Sequence, residues 1–97
     1  MKVKTKSGYS CEIDESVLEE YTFLEAIAMA SDTDNPTNAM IGTTKIVNLL
    51  LGKDKKGFMD AIAKKNDGKV PAVKVTEEIM SIMAQLNDAK NSLSSEE

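Results

Sequence analysis

Ninety-seven residues suit one small domain, which buries about 60–65% of the surface its unfolded chain exposes. Apolar residues make up 41% and charged residues 29%, the balance of a globular protein. There is no His, and all 12 basic residues are Lys, so imidazole acid–base chemistry and the commonest transition-metal ligand are excluded. The single Cys, Cys11, excludes an intrachain disulfide or a zinc cluster and suits a reducing compartment. The net charge of −4 argues against a general nucleic-acid binder.

Lys2, Lys4 and Lys6 are followed by no apolar stretch of the kind a signal peptide needs. The densest apolar run, Ile46 to Leu51, is far short of the roughly 20 residues of a membrane span. The expected compartment is the cytoplasm.

In chain order, residues 1–13 predict a hairpin. Val3 and Thr5 alternate with Lys4 and Lys6, and Tyr9, Cys11 and Ile13 alternate with Ser10 and Glu12. Ser7-Gly8 supplies the turn between them. Asp14 to Ser31 predicts helix, capped by Asp14 or Ser16. Leu24, Ile27 and Ala28 form its apolar face, with Tyr21 one turn earlier. The poor helix-forming triplet Tyr21-Thr22-Phe23 allows a break between Tyr21 and Phe23, which would leave one short helix followed by a second.

Residues 31–37 form a loop. A helix from Thr37 or Asn38 to Leu51 then carries a broad apolar face of Met40, Ile41, Thr44, Val47, Leu50 and Leu51, widened by Ile46 and Leu49, and is expected to be the most buried. Gly52 stops it. Lys53 to Asn66 predicts an amphipathic helix with Phe58, Met59, Ile62 and Ala63 inward, ended by Asp67-Gly68. Lys69 to Lys74 is expected to be extended around Pro71. Thr76 then caps a last helix with Glu78 in its first turn. Its apolar stripe is Ile79, Ile82, Met83, Leu86, Ala89 and Leu93. The expected fold is mainly α: three to four packed helices with an N-terminal β-hairpin, in one domain over residues 1–91, with a flexible tail at 92–97.

Few residues carry chemistry. Asp32-Thr33-Asp34-Asn35 opens like a calcium loop, but Pro36, Thr37 and Thr43 stand where that loop needs an oxygen ligand, Gly and Glu. A helix-capping loop is the better reading. Gly52-Lys53-Asp54 lacks the rest of a phosphate loop. Cys11 sits among strand residues with no His to activate it. Glu19/Glu20 and Glu77/Glu78 are read as helix-dipole compensation. The lysines at 53, 55, 56, 64, 65 and 69 lack interleaved aromatics and Arg, so a solvated face is the better reading. No catalytic residue, metal site or cofactor is expected.

Charge is segregated. Residues 1–11 carry +3, residues 12–44 carry eight acids and no base, residues 45–74 carry +5, and residues 75–97 carry −4. Two readings stand: complementary faces within one fold, or acidic and basic faces meeting between subunits of a homo-oligomer. The methionines likewise fill an irregular core or form an adaptable binding surface, with Met80 and Met83 better placed for the latter. Ile79, Ile82, Met83 and Leu86 have the anchor spacing of a helix that docks a helical partner. The same stripe could instead close the core.

The order of elements carries a resemblance. A Lys-rich hairpin with Ser7-Gly8 leads into Ile13-Asp14 and an acidic helical region. Then come Ile46-Val47-Asn48-Leu49-Leu50-Leu51-Gly52, a Lys-rich helix ending Asn66-Asp67-Gly68, and a helix running through Leu86-Asn87-Asp88-Ala89-Lys90-Asn91-Ser92. Over nearly the whole chain this resembles the small tail assembly chaperones of long-tailed bacteriophages and prophages of Gram-positive bacteria.

The resemblance implies a helical protein that acts without chemistry. Its implied partner is the tape measure protein, kept soluble until tail tube subunits polymerise around it, with the tail tube protein as a second partner. It implies the cytoplasm of the bacterial host and absence from the mature virion. Neither membrane nor nucleic acid is expected as a partner. The competing reading is a small helical interaction or regulatory module, antitoxin-like or DNA-associated, with a single defined partner.

Overall fold

A computed structural model describes the backbone of residues 1–95 and the side chains of residues 1–88. Ala89 and Leu93 of the expected stripe, and Glu96 and Glu97 of the expected tail, therefore lie outside the residues whose side chains or backbone are described. The fold is mainly α with an N-terminal antiparallel hairpin, as expected. It groups into two compact units. One joins Met1–Ile13 with Lys56–Glu97; the other is Asp14–Lys55.

The first unit begins with β1 (Lys2–Lys4) and β2 (Ser10–Glu12), paired Lys2 to Glu12, Val3 to Cys11 and Lys4 to Ser10. The period-two pattern does what it predicts: Val3, Thr5, Cys11 and Ile13 are buried on one face, and the lysines between them are exposed. The turn is a three-residue loop. Gly8 N–H donates to Thr5 O at 3.0 Å, and Gly8 takes φ +93°, a conformation open to glycine. Thr5 N–H closes on Tyr9 O at 2.8 Å, and Tyr9 N–H donates to Thr5 Oγ1 at 3.0 Å.

α3 (Lys55–Lys65) falls almost wholly in this unit and buries Phe58 and Ile62. Two left-handed residues, Asp67 and Gly68, end it, and Gly68 N–H caps Ala63 O at 2.8 Å. α4 (Ala72–Ser95) begins four residues before the expected cap at Thr76. Pro71 explains the difference. Its carbonyl accepts from Lys74 and Val75 N–H at 3.0 and 3.2 Å, so Pro starts the helix, where its missing N–H is no loss. Thr76 lies inside the helix, its hydroxyl donating to Ala72 O at 3.1 Å. Glu78 is thus beyond the first turn.

The second unit opens with a 3-10 turn, Glu15–Glu19, capped by Asp14, and continues as α1 (Tyr21–Ala30). The expected break exists, but it falls at Glu20, whose backbone is extended. α2 (Pro36–Leu51) starts with Pro36 at its first position and Asn35 as cap, accepting from Asn38 N–H at 3.1 Å. A second 3-10 turn, Gly52–Asp54, follows.

The packed faces of α1 and α2 agree with those expected only in part: Ile46, Val47, Leu50 and Leu51 are buried as expected, and other positions are not. Phe23 and Ala26 are buried, whereas Tyr21, Leu24 and Ala28 are exposed. On α2 the buried residues are Gly42, Ile46, Val47, Leu50 and Leu51, while Met40, Ile41 and Thr44 are exposed. Gly42 explains the rotation. A Cβ there would collide with the backbone of α1 at Ala30 N, with Ala26 O at 2.7 Å and with Met29 C at 2.8 Å. The two helices meet backbone to backbone at Gly42, and that contact sets which residues face inward.

Candidate interaction surfaces

Of the four residues expected to bind a partner, Ile79, Ile82 and Leu86 are at most 3% exposed, and Met83 is half-buried. Their stripe lies within the chain's own core, the other use foreseen for it. Among the described residues of α4 the exposed large apolar side chains are Val73 and Met80, on a different face.

The polar side chains beside that stripe hold the hairpin. Gln85 Nε2 donates to Lys4 O at 2.9 Å, and Lys4 N–H donates to Gln85 Oε1 at 3.3 Å. Ser7 N–H donates to Glu78 Oε2 at 3.1 Å, and Glu78 is buried. Glu78 is therefore a structural acceptor for the turn rather than a helix-dipole group. Only its i, i+7 relation to Gln85 could have pointed to this role, and nothing in the sequence marks the hairpin edge as their target.

The turn also borders an open cleft of ≈ 670 Å³ in the same unit, lined by residues that include Tyr9, Gly57, Asp60, Lys64 and Lys65. The Tyr9 ring lies on Gly57, where a Cβ would come within 2.5 Å of it. Lys56 pairs with Asp60 at 3.7 Å with both side chains largely exposed, a contact of small energetic weight. Lys64 and Lys65 occupy the last turn of α3, where they complement the helix dipole. Lys55 donates to Asn48 Oδ1 at 2.9 Å.

Among the described residues, most of the exposed large apolar side chains belong to the second unit. Tyr21, Leu24, Met40, Ile41 and Leu49 are all more than a third exposed. Thr22 and Glu25 of α1 and Lys45, Asn48 and Leu49 of α2 line a shallow cleft of ≈ 250 Å³. The signal for this surface is present in the sequence: the 39–51 stretch is apolar on more sides than one packed neighbour can cover.

The loop read as helix-capping uses its oxygens in that way. Asp32 Oδ1 accepts from Asp34 N–H at 3.2 Å, and Asp32 Oδ2 accepts from Asn38 Nδ2 at 3.1 Å. Asp14 is held below the ordinary aspartate value by the Ser16 hydroxyl and then by the Ser16 N–H, which donate to its Oδ1 at 2.7 and 3.0 Å. Cys11 is buried in the hairpin. Among the described residues no group of acids and Cys is arranged to hold a metal ion, and no helix is long and apolar enough to cross a membrane. No family model, curated protein or solved structure matches the chain.

Proposed function

We propose that this chain is a non-catalytic tail assembly chaperone that binds the tape measure protein of a long-tailed phage and keeps it soluble during tail assembly. The reading starts from the resemblance over nearly the whole sequence. The observation that carries it is that residues 14–55 leave five large apolar side chains exposed, Tyr21 and Leu24 on one face of α1 and Met40, Ile41 and Leu49 on α2. Exposed apolar patches on small proteins mark partner surfaces. A long helical client presents the complementary stripes of apolar side chains. The tail tube protein is a second partner on this reading, and the work is done in the host cytoplasm before the virion is complete.

Co-expression tests it. The tape measure protein encoded beside this chain is expected to move from the insoluble to the soluble fraction when the two are made together. An unchanged partition, with this chain folded and abundant, contradicts the reading.

A further inference from the structure

Tyr21, Leu24 and Ala28 follow one another at three- and four-residue spacing along α1, so they share one face. That face points away from α2, because the α1 residues that meet α2 at Gly42 are Ala26, Met29 and Ala30, on other sides of the helix. Tyr21 is 76% exposed and Leu24 51%. The rim of the stripe is acidic. Glu25, exposed, lies one turn from both Tyr21 and Ala28, while Glu20 stands at the N-cap position without a side-chain cap bond and Glu19 ends the turn before it. The turn and α1 carry no Lys of their own; the base beside them is Lys45 of α2, which lines the cleft next to Glu25, at the far side from Glu19 and Glu20.

We propose that this stripe docks a basic amphipathic helix. Apolar residues of the partner at i, i+3 or i+4, and i+7 sit on Leu24 and Tyr21, and its Lys or Arg flanks lie beside Glu19, Glu20 and Glu25. The apolar contact supplies the affinity; the carboxylates supply orientation and encounter rate. A second copy of this chain is a poor occupant. Its own basic helix, α3, has Phe58 and Ile62 at 0% exposure, so it offers lysines without a free apolar face. The inference deepens the proposed function by naming the client's docking surface and chemistry, and it rests on that reading only for the client's being helical.

The test uses the full chain, ¹⁵N-labelled, and three synthetic helices of about 18 residues. One is a Leu/Lys peptide with a single apolar face, the second has the same composition scrambled, and the third is its Leu/Glu counterpart. The first is expected to bind about tenfold more tightly than the others, with amide shifts concentrated at residues 19–28. Leu24→Glu, and separately Tyr21→Ser, should weaken it about tenfold with the spectrum of the folded protein retained. Met80→Glu, an equally exposed apolar position on α4, should leave it unchanged. Equal binding of the scrambled peptide, shifts centred elsewhere, or indifference to both α1 substitutions overturns the proposal. If the tape measure protein is solubilised equally by wild type and Leu24→Glu, the α1 surface is wrong while the proposed function stands. If the peptide docks on α1 but the tape measure protein is not solubilised, the reverse holds.

Discussion

The side-chain amide of Gln85 pairs with both backbone groups of Lys4, donating to its carbonyl at 2.9 Å and accepting from its N–H at 3.3 Å. Val3 and Thr5 pair inward with Cys11 and Tyr9, so the Lys4 groups point out from the free edge of β1. A glutamine amide offers a donor and an acceptor as a neighbouring strand would, and so closes an edge otherwise open to pairing with another chain. Seven residues earlier on α4, Glu78 accepts from Ser7. Two turns apart on α4, Gln85 and Glu78 thus hold the hairpin at two points, the edge of β1 at Lys4 and the turn at Ser7.

Gln85→Ala is expected to destabilise the protein by about 1–2 kcal/mol, the net worth of two partly exposed hydrogen bonds. Chemical denaturation measures it. Hydrogen exchange at the Lys4 amide should accelerate more than at the Thr5 amide, which keeps its bond to Tyr9. Unchanged exchange at Lys4 contradicts the pairing.

Gly42→Ala reverses the usual helix rule. Propensity alone favours Ala by about 1 kcal/mol inside a helix. Here the added methyl meets backbone atoms of Ala26, Met29 and Ala30, which cannot swing aside like a side-chain tip. A net loss of about 1–3 kcal/mol is expected. A more stable Gly42→Ala protein would show that α1 and α2 are not in close backbone contact.

The rotated face of α2 separates two substitutions that the sequence treats alike. Leu50 is 5% exposed and Met40 55%. Leu50→Ala should cost about 2–5 kcal/mol. Met40→Ala should stay within about 0.5 kcal/mol of wild type, the ordinary range for a surface position. Comparable losses at both would restore the face expected from periodicity.

Asp14 gives a pH test. Its folded carboxyl lies below the ordinary 3.8 because Ser16 donates twice to the charged form. A depressed acid contributes stability above its unfolded pKa and loses it as pH falls through the folded value. The contribution is thus complete at neutral pH and fades only below about 3.8. In a ¹³C carboxyl titration, Ser16→Ala should raise the Asp14 midpoint toward the ordinary value. An unmoved midpoint contradicts the capping geometry.

Some of this architecture is legible in the sequence. The hairpin is, because its alternation is strict and Ser7-Gly8 falls where the loop needs a left-handed residue. Phe58 and Ile62 are, because α3 has one narrow apolar stripe with lysines on its other sides. The faces of α1 and α2 are not. Ala39 to Leu51 carries apolar residues nearly all round, so periodicity selects no single face, and the decision falls to the backbone contact at Gly42. The start of α4 is hidden because Pro71 reads equally as a helix opener and as an extended residue. The burial of Ile79, Ile82 and Leu86 depends on what the stripe meets, which spacing along one helix does not encode. The roles of Glu78 and Gln85 are invisible for the same reason: their partners, Ser7 and Lys4, lie more than seventy residues away.

On the proposed function, this chain binds a helical client without chemistry and keeps it in solution. Purified chain mixed with a purified, aggregation-prone fragment of the tape measure protein, followed by sedimentation velocity, tests it most directly. A soluble complex of defined size in place of aggregate, formed without nucleotide or metal, is expected. Aggregation of the fragment at the same rate with and without the chain, each partner sedimenting alone, would contradict it.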